Sequence, residues 1–116
     1  MEGDLMQMTL KHVQEQLSDN DRILAHIRCS LDTYIYSRVA RPGILAVTEK
    51  EVIFVADAVG GYDLIERYTH EKIERAALKK WIFSPYIYMK LNGGAKKFKH
   101  LMDKNGHELV EIINQK

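Results

Sequence analysis

The sequence predicts a mainly β fold of the α+β class: an antiparallel β-barrel of about seven strands with a C-terminal capping helix and an extra N-terminal helix. Apolar residues recur at helical spacing near both ends of the chain and alternate with a period of two between them. Short turns join the β runs, and no crossover helix separates them, which excludes parallel βαβ units. Strands joined in this way form an antiparallel meander, which closes or leaves edges that need protection.

Length and charge limit the domain organisation and the partners. A chain of 116 residues is one domain, which we divide into an N-terminal helix at 4–17, a barrel at 22–102 and a C-terminal helix at 107–115. The net charge is only +1, so no global field attracts nucleic acid or an acidic membrane. We therefore expect no nucleic-acid partner, and any charged partner must be recognised locally.

The start of the chain and its single cysteine indicate the compartment. Met1-Glu2-Gly3-Asp4 is acidic where a secretory signal peptide is basic. No apolar run approaches the roughly 20 residues that span a bilayer. Cys29 has no second cysteine for an internal disulfide, and we expect it to be buried and inert. These features predict a cytoplasmic protein.

The first predicted element is a helix over Asp4–Leu17. One face repeats at helical spacing through Leu5, Met8, Thr9, His12, Val13 and Leu17. Asp4 caps the start, and Ser18-Asp19-Asn20-Asp21 is a polar stop. Because an isolated helix of this length is marginal in water, it needs another surface of the domain to cover.

The first strand is predicted at Ile23–Ile35. Residues of one parity form its buried face: Ile23, Ala25, Ile27, Cys29 and Leu31. Tyr34–Arg41 then carries the chain around an edge, and Pro42-Gly43 marks the boundary before the next strand.

Two apolar β runs, Gly43–Thr48 and Glu51–Ala56, form a hairpin around the polar pair Glu49-Lys50. Neither residue of that pair favours positive φ, so a type I′ turn is disfavoured. We predict a four-residue loop, Thr48–Glu51, around a type I turn, with the Thr48 hydroxyl bonded to the backbone inside it.

The rest of the barrel is predicted from alternating apolar runs and turn residues. Asp57–Asp63 is a loop, and Ser84-Pro85 and Asn92-Gly93-Gly94 are turns. The predicted strands are Leu64–Thr69, Ile73–Phe83, Tyr86–Leu91 and Lys96–Leu101. A helix over His107–Gln115, with Leu109, Ile112 and Ile113 on one face, is expected to close the open mouth of the rolled sheet.

The run Gly43-Ile-Leu-Ala-Val-Thr-Glu-Lys-Glu-Val-Ile-Phe-Val resembles the strand–turn–strand of bacterial pleckstrin-homology (PH) domains. Tyr68-Thr-His-Glu-Lys-Ile73 is similar to a segment that leads into a strand in that family, and the stretch from Lys96 to Ile113 is similar to its last strand and closing helix. The best fit is the YokE-like group, over about Ile23 to Gln115. The resemblance implies a PH-like barrel without enzyme activity. Many members carry Arg where this chain has Glu51, which implies that this hairpin does not hold an anion.

No catalytic, metal or cofactor site is predicted. His12, His26, His70, His100 and His107 form no close pair at metal-ligand spacing. His70-Glu71-Lys72-Ile73-Glu74 has Glu where a zinc-protease motif has its second His, and it precedes a strand rather than lying on a helix. Gly60-Gly61 and Gly93-Gly94 lack the lysine or helix start of a phosphate loop.

A candidate contact region is Trp81-Ile82-Phe83-Ser84-Pro85-Tyr86, flanked by Lys79-Lys80 and Lys90. Because strand residues alternate, both faces are apolar near this turn. Either the N-terminal helix covers the segment, or the turn is exposed and docks a partner or a membrane interface.

A second candidate site is a group of lysines, Lys90, Lys96, Lys97 and Lys99, which is expected to form a positively charged surface. Each exposed lysine near an anionic membrane contributes only about 1 kcal/mol, so a solvated strand face is the alternative interpretation. Tyr86 and Tyr88 share a strand face suited to stacking on bases, but the balanced charge disfavours nucleic acid.

These features predict a non-enzymatic binding module. The partner we expect is a protein, either a second copy in a homo-oligomer or an extended peptide added to a strand beside the C-terminal helix. The alternative is weak peripheral binding to an anionic lipid surface.

Overall fold

Two helices and seven strands make up the computed structural model, which describes residues 2–34, 38–57 and 64–116. In chain order the elements are α1 (Glu2–Glu15), β1 (Ile23–Tyr34), β2 (Arg38–Thr48), β3 (Glu51–Ala56), β4 (Ile65–Thr69), a short 3₁₀ turn (His70–Lys72), β5 (Ile73–Trp81), β6 (Ser84–Leu91), β7 (Gly94–Lys99) and α2 (Gly106–Gln115). The order helix, seven strands, helix is the predicted one.

The strands form one antiparallel sheet in the order β4-β3-β2-β1-β7-β6-β5. The sheet is rolled. The rings of Phe54 in β3 and Phe98 in β7 lie only 5.8 Å apart, although β2 and β1 separate these strands in the sheet. An ion pair of 3.4 Å between Lys96 of β7 and Glu66 of β4 bridges the same gap. The two edge strands, β4 and β5, follow one another in the chain but are not hydrogen-bonded neighbours. This is the predicted antiparallel, PH-like barrel.

The main core fills the inside of the rolled sheet. It contains side chains from every strand and from α2, whose Leu109, Val110 and Ile113 are buried in it. α2 packs against β5, β1 and β2, where the open mouth of the barrel was expected to need a helix. Burial of apolar surface on this scale is the main stabilising contribution to a domain of this size.

The β2–β3 hairpin is buried on both faces, which explains its continuous apolar run. Alternate residues point into the main core, and the others, Ile44, Ala46, Ile53 and Val55, form a second cluster under α1. Val13 of α1 is fully buried in that second cluster. The N-terminal helix therefore covers this hairpin.

Gly43 allows the close packing of the hairpin, since a Cβ there would lie 2.3 Å from the carbonyl oxygen of Val55. The predicted loop is confirmed, because Thr48 Oγ1 accepts hydrogen bonds from Lys50 N at 3.2 Å and Glu51 N at 3.0 Å. The last ladder pair is Val47 with Val52, so four residues form the loop. Neither Glu49 nor Lys50 has positive φ, which excludes type I′.

Both proline-based boundaries were wrong. Pro42 lies inside β2, opposite Ser30 of β1. Its carbonyl accepts from Asp57 N at 2.9 Å, so the ring nitrogen faces the side on which β3 has already ended. The one bond that the proline cannot make is the return bond to Asp57, which lies just beyond the end of β3, so the strand continues through the proline.

Pro85 likewise lies inside β6, opposite Lys80, and the turn is at Ile82-Phe83 rather than at Ser84-Pro85. β7 pairs with β6 only from Ile87 onward, so no partner strand is present to use a backbone N–H at Pro85.

Smaller differences concern element ends. α1 ends at Glu15 rather than Leu17, α2 begins one residue earlier than predicted, and β7 is Gly94–Lys99 rather than Lys96–Leu101. A register shift between Ile23 and Ala25 moves Ile23 from the predicted inner face to the cluster under α1. The end of the first predicted strand at Ile35 and the predicted loop 58–63 lie outside the described residues.

Candidate functional site

The tip of the β5–β6 hairpin exposes three large apolar side chains. Trp81 and Ser84 are the last cross-strand pair, so Ile82-Phe83 is a two-residue turn. Trp81 is 73% exposed, Ile82 72% and Phe83 92%. The alternative that α1 covers this segment is therefore excluded, since α1 lies on the β2–β3 hairpin. We call Trp81, Ile82 and Phe83 the apolar tip.

The backbone of the apolar tip is strained. Ile82 has a φ of +57°, whereas Phe83 does not have positive φ. Positive φ at only the first central residue is the pattern of a type II′ turn, which prefers glycine there. A β-branched residue in this region is a genuine outlier and costs on the order of 1 kcal/mol or more. Ile82 thus carries both a backbone strain and an unfavourable exposure, a combination that favours a functional role.

The outer face of the β5–β6–β7 sheet runs back from the apolar tip. Ile87, Met89 and Phe98 are buried, so the residues of opposite parity point outward. The cross-strand register assigns to this face Arg75, Ala77, Lys79 and Trp81 of β5, Ser84, Tyr86, Tyr88 and Lys90 of β6, and Ala95, Lys97 and Lys99 of β7. We call these residues the basic face. They include five cations and no carboxylate.

Few of these cations are neutralised. Within the described residues, Lys99 forms an ion pair of 3.4 Å with Asp32 of β1, and the other four cations have no carboxylate within 4.0 Å. Arg75 and Lys90 are cross-strand partners, an arrangement of like charges that is unfavourable for the fold alone. The near-zero net charge of the chain therefore hides a local positive surface.

Two lysines of the basic face lie over tyrosine rings. Lys79 Nζ is 4.5 Å from the centroid of Tyr88, and Lys97 Nζ is 5.9 Å from that of Tyr86. Each contact is diagonal, because the direct cross-strand partners are Lys79 with Tyr86 and Tyr88 with Lys97. Such contacts hold the ammonium groups above the sheet without neutralising them.

A cavity of about 450 Å³ lies between the apolar tip and β7. It is lined by Trp81, Ser84, Pro85, Tyr86, Lys97, Lys99 and His100. We call it the tip cavity. Its lining combines two aromatic rings, a hydroxyl and two ammonium groups, which is a composition suited to a small polar ligand with negative charge.

The structure separates the predicted site residues into two groups. Trp81, Ile82 and Phe83 form the tip, and Lys79, Tyr86, Lys97 and Lys99 lie behind it on one face. Lys80 has the opposite parity to Lys79, although it is exposed beside the same tip. Lys90 lies at the far end of the basic face. Lys96 points to the other side of the sheet and pairs with Glu66 at 3.4 Å.

Sequence reasoning missed Arg75 and His100. Their contribution depends on the register of β5 with β6 and on the path of the chain after β7. Parity within β5 gave a signal for Arg75, but the charge balance of the whole chain obscured it.

The free edge of β5 is short. Both backbone groups of Ala76 bond to Asn114 of α2, so residues of this parity turn their N–H and C=O away from β6. Leu78 and Lys80 share that parity and present their backbone groups at the sheet edge. α2 therefore blocks the edge at Ala76, and at Leu78–Lys80 no other described residue bonds to the backbone of this edge.

The described residues carry no catalytic arrangement. No group of three or more His, Cys, Asp or Glu residues among them could hold a metal ion. Burial raises the pKa of the Cys29 thiol to about 12, which makes it a poor nucleophile. Burial, and the hydrogen bond that the phenol donates to Glu66, raise the pKa of Tyr68. No helix in the described parts of the chain is long and apolar enough to cross a bilayer.

Comparisons with known proteins agree with this architecture. The family model described as "Bacterial PH domain" matches residues 17–115. The structure is similar to the crystal structure of the C-terminal domain of an unknown protein from Leishmania infantum, with a TM-score of 0.61, 10% identity, and coverage of 93% of this chain and 92% of that chain. That likeness shows the fold alone. No curated protein matches the chain.

The predicted YokE-like subgroup is finer than these comparisons resolve, and it stays a prediction. PH domains are generally non-catalytic binding modules. The family model covers most of the chain, and its fold is the one described above. The chain therefore belongs to the bacterial PH domain family.

Proposed function

We propose that this protein is a peripheral binding module for anionic lipid surfaces, with the apolar tip inserted into the interface and the basic face directed at the headgroups. The observation that carries the proposal is the exposure of Trp81, Ile82 and Phe83 at the end of a hairpin whose flanking lysines, Lys79 and Lys80, have no carboxylate partner among the described residues. Tryptophan and phenylalanine side chains beside lysines are typical of segments that bind at a membrane interface.

The magnitudes are adequate for reversible attachment. Transferring a large apolar side chain out of water stabilises by about 1.5–3 kcal/mol when burial is complete. Each lysine close to an anionic leaflet adds about 1 kcal/mol. Partial burial of three tip side chains together with Lys79, Lys80 and Lys97 thus supports weak binding that high salt reverses. A cytoplasmic location, which we expect from the sequence, would present such leaflets to the domain.

A stable protein interface is less well supported by the tip. Trp81 and Phe83 bury about 150–250 Å² each, so the two rings together offer roughly 300–500 Å². A standard interface buries about 800 Å² on each partner. Lys79 and Lys80 also lie on the edge strand, where lysines oppose pairing with a second copy of the same strand.

Peptide binding is the second candidate, and the open backbone of Leu78–Lys80 favours it. An extended segment with acidic residues would add to this edge through main-chain hydrogen bonds. The block at Ala76 limits such a peptide to the tip half of β5.

Vesicle co-sedimentation tests the proposal. Phosphatidylcholine vesicles that contain an anionic lipid should bind the wild-type chain at low salt, and pure phosphatidylcholine vesicles should bind it much less. The double variant I82S/F83S should lose about tenfold or more in affinity, because exposed apolar atoms have been removed. M8S is the matched control, since Met8 is 65% exposed but lies in α1, which packs against the β2–β3 hairpin.

A charge series separates local recognition from net charge. The variant K79Q/K80Q should weaken binding, whereas K72Q at the opposite end of β5 should have little effect. If the wild-type protein does not bind anionic vesicles, or if M8S loses as much affinity as I82S/F83S, the proposal fails. Self-association in light scattering that disappears in I82S/F83S would favour a protein partner instead.

A further inference from the structure

We propose that α1 is an exchangeable arm, which leaves its own barrel and docks in the same place on a second copy of the chain. That place is a groove on the outer face of the β2–β3 hairpin, which we call the α1 groove. The groove has the chemistry of a helix-binding site, whereas none of the described side chains of α1 reaches the main core. The inference goes beyond the proposed function, because it concerns a different face of the molecule from the apolar tip.

The floor of the α1 groove is apolar and continuous across three strands. Ile44 of β2 is opposite Val55 of β3, and Val55 is opposite Ile65 of β4, so one apolar row crosses the sheet. Ala46 and Ile53 form the neighbouring row. Except for Ile65, which is half-buried, these side chains are completely covered. Without α1 they would form a contiguous exposed apolar patch, and such patches mark interaction sites.

Polar side chains beside this floor fix the direction of the docked helix. Asp57, which is only 4% exposed, accepts a hydrogen bond of 2.7 Å from Thr9 and forms an ion pair with Arg28. Arg67 donates a hydrogen bond of 2.5 Å to the carbonyl oxygen of Gln16, just beyond the end of α1. A guanidinium group favours the negative C-terminal end of a helix. The α1 groove therefore recognises the polarity of a helix as well as its apolar side.

The groove contacts of α1 come from positions i, i+4 and i+7, namely Thr9, Val13 and Gln16. Helices that dock in apolar grooves use this spacing. Val13 is fully buried and Leu10 is half-buried, but Met8 of the same helix is 65% exposed. Few of the described side chains thus attach α1, and a helix of this length is marginal on its own. We therefore expect α1 to detach at a lower free energy than the barrel needs to unfold.

The connection between α1 and β1 suits an exchange between two copies. Seven residue steps lead from Gln16 to Ile23, and they reach at most about 25 Å when extended. Asn20 has a φ of +64°, a left-handed reversal that asparagine tolerates, and a rotation there would straighten the connection. The α1 groove of a second copy is identical, so an exchanged helix recovers every contact that it had. Such swapping is a low-cost route to a dimer.

Shortening the connection tests the exchange. Removal of residues 18–20 leaves four steps between Gln16 and Ile23, which reach at most about 14 Å. Gln16 is bonded to Arg67 of β4, and β4 lies three strand spacings, about 14 Å, from β1, with α1 in a further layer above the sheet. The shortened chain cannot place α1 on its own groove. Light scattering should find this variant dimeric, and the wild type mainly monomeric below about 1 mM, the effective concentration that a short linker provides.

Two substitutions in the shortened chain identify the interface. Val13→Asp should return it to a monomer, because a carboxylate cannot enter the apolar floor of the α1 groove. Met8→Ser is the matched control in the same helix and should leave the dimer intact, since Met8 is largely exposed. A shortened chain that is monomeric, or a dimer that Val13→Asp leaves intact, would overturn the proposal.

A mixed sample tests the exchange in the unshortened chain, and so covers the case in which the shortened variant fails to fold. One population carries a nitroxide on Met8→Cys, and the other is wild type, isotopically enriched for NMR. The buried Cys29 does not compete for the label. After incubation near 1 mM, on the order of the effective concentration of the linked helix, the amide resonances of residues 44–55 in the enriched chains should broaden. Val13→Asp in the nitroxide chains should remove the broadening.

Unchanged resonances in the mixed sample would overturn the proposal, as would broadening that survives Val13→Asp. Thermal unfolding checks that the variants keep a folded barrel. None of these measurements contains a vesicle. Failure of the exchange therefore leaves the proposed function standing, and failure of vesicle binding leaves the exchange standing.

Discussion

The side-chain amide of Asn114 in α2 forms hydrogen bonds with both backbone polar groups of Ala76 in the edge strand β5. Its Nδ2 donates to the Ala76 carbonyl oxygen at 2.9 Å, and its Oδ1 accepts from the Ala76 N–H at 2.8 Å. One residue thus anchors the end of the C-terminal helix and satisfies both polar groups of a buried position on a sheet edge. Covering an edge in this way also protects it from pairing with another chain.

We predict that Asn114→Ala lowers the free energy of unfolding by about 1–3 kcal/mol, because two backbone groups at a buried residue lose their partners. Urea unfolding measures the change. Gln115→Ala, at the exposed neighbour in the same helix, should cost less than 0.5 kcal/mol, about the usual limit for a surface substitution. Equal effects of the two substitutions would show that the Asn114–Ala76 bonds contribute nothing measurable.

Gly43→Ala should destabilise the fold by about 3 kcal/mol or more. A Cβ at Gly43 meets the Val55 carbonyl oxygen at 2.3 Å and the Ala56 Cα at 2.7 Å, and neither backbone atom can move cheaply in the middle of the sheet. Gly94→Ala is the control, since a Cβ there has nothing within 4 Å. Thermal unfolding of both variants checks the prediction, and a Gly43→Ala melting temperature equal to that of Gly94→Ala would contradict it.

Ile82→Gly should separate stability from function. Glycine accepts the φ of +57° without strain, which adds about 1 kcal/mol to the free energy of unfolding, and the entropy that glycine adds to the unfolded chain removes about 0.4–1 kcal/mol. The net free energy of unfolding should therefore stay the same or rise slightly. Vesicle affinity should fall, because an exposed apolar side chain is lost from the tip. A variant that gains stability and keeps full vesicle affinity would show that Ile82 is not retained for binding.

The buried thiol of Cys29 makes stability fall at high pH. Burial raises its pKa from 9.0 to about 12, so between these values the unfolded chain releases a proton that the native state keeps. The free energy of unfolding contributed by this group is therefore full below pH 9 and decreases above it by about 1.4 kcal/mol per pH unit. Between pH 9 and 10 Cys29→Ala should remove that slope, because Tyr68, whose pKa burial also raises from 10.0, adds its own slope only above about pH 10. A thiol reagent at pH 8 should react only after unfolding. A wild-type slope that persists in Cys29→Ala would assign it to other groups.

The element order followed from the sequence because the helices carry a period of 3.6, whereas the strands carry a period of two or, in the β2–β3 hairpin, a continuous apolar run. The hairpin was predicted well because Thr48 and the two polar residues after it specify the loop locally. The prolines were misjudged since a missing N–H matters only where a partner strand is present, and that depends on where β3 and β7 end. The ends of strands are set by pairing with other strands, so local composition does not predict them.

Only part of the candidate site could be predicted from the sequence. The sequence Trp81-Ile82-Phe83 indicated a turn with apolar residues on both faces, but whether α1 covered it depended on which hairpin α1 packs against. Each lysine could be identified in the sequence, but which lysines share a face of the sheet depends on the register across three strands. The whole-chain charge of +1 pointed away from an anionic partner, because it averages over faces that the fold separates.

Fluorescence of Trp81 tests the central claim most directly, because it is the single tryptophan of the chain and lies in the apolar tip. On addition of anionic vesicles its emission maximum should shift to shorter wavelength, and lipids brominated near the headgroup end of the acyl chain should quench it. Vesicles of phosphatidylcholine alone should leave the spectrum nearly unchanged. If the protein co-sediments with anionic vesicles while Trp81 emission neither shifts nor is quenched, the tip is not inserted and the account is contradicted.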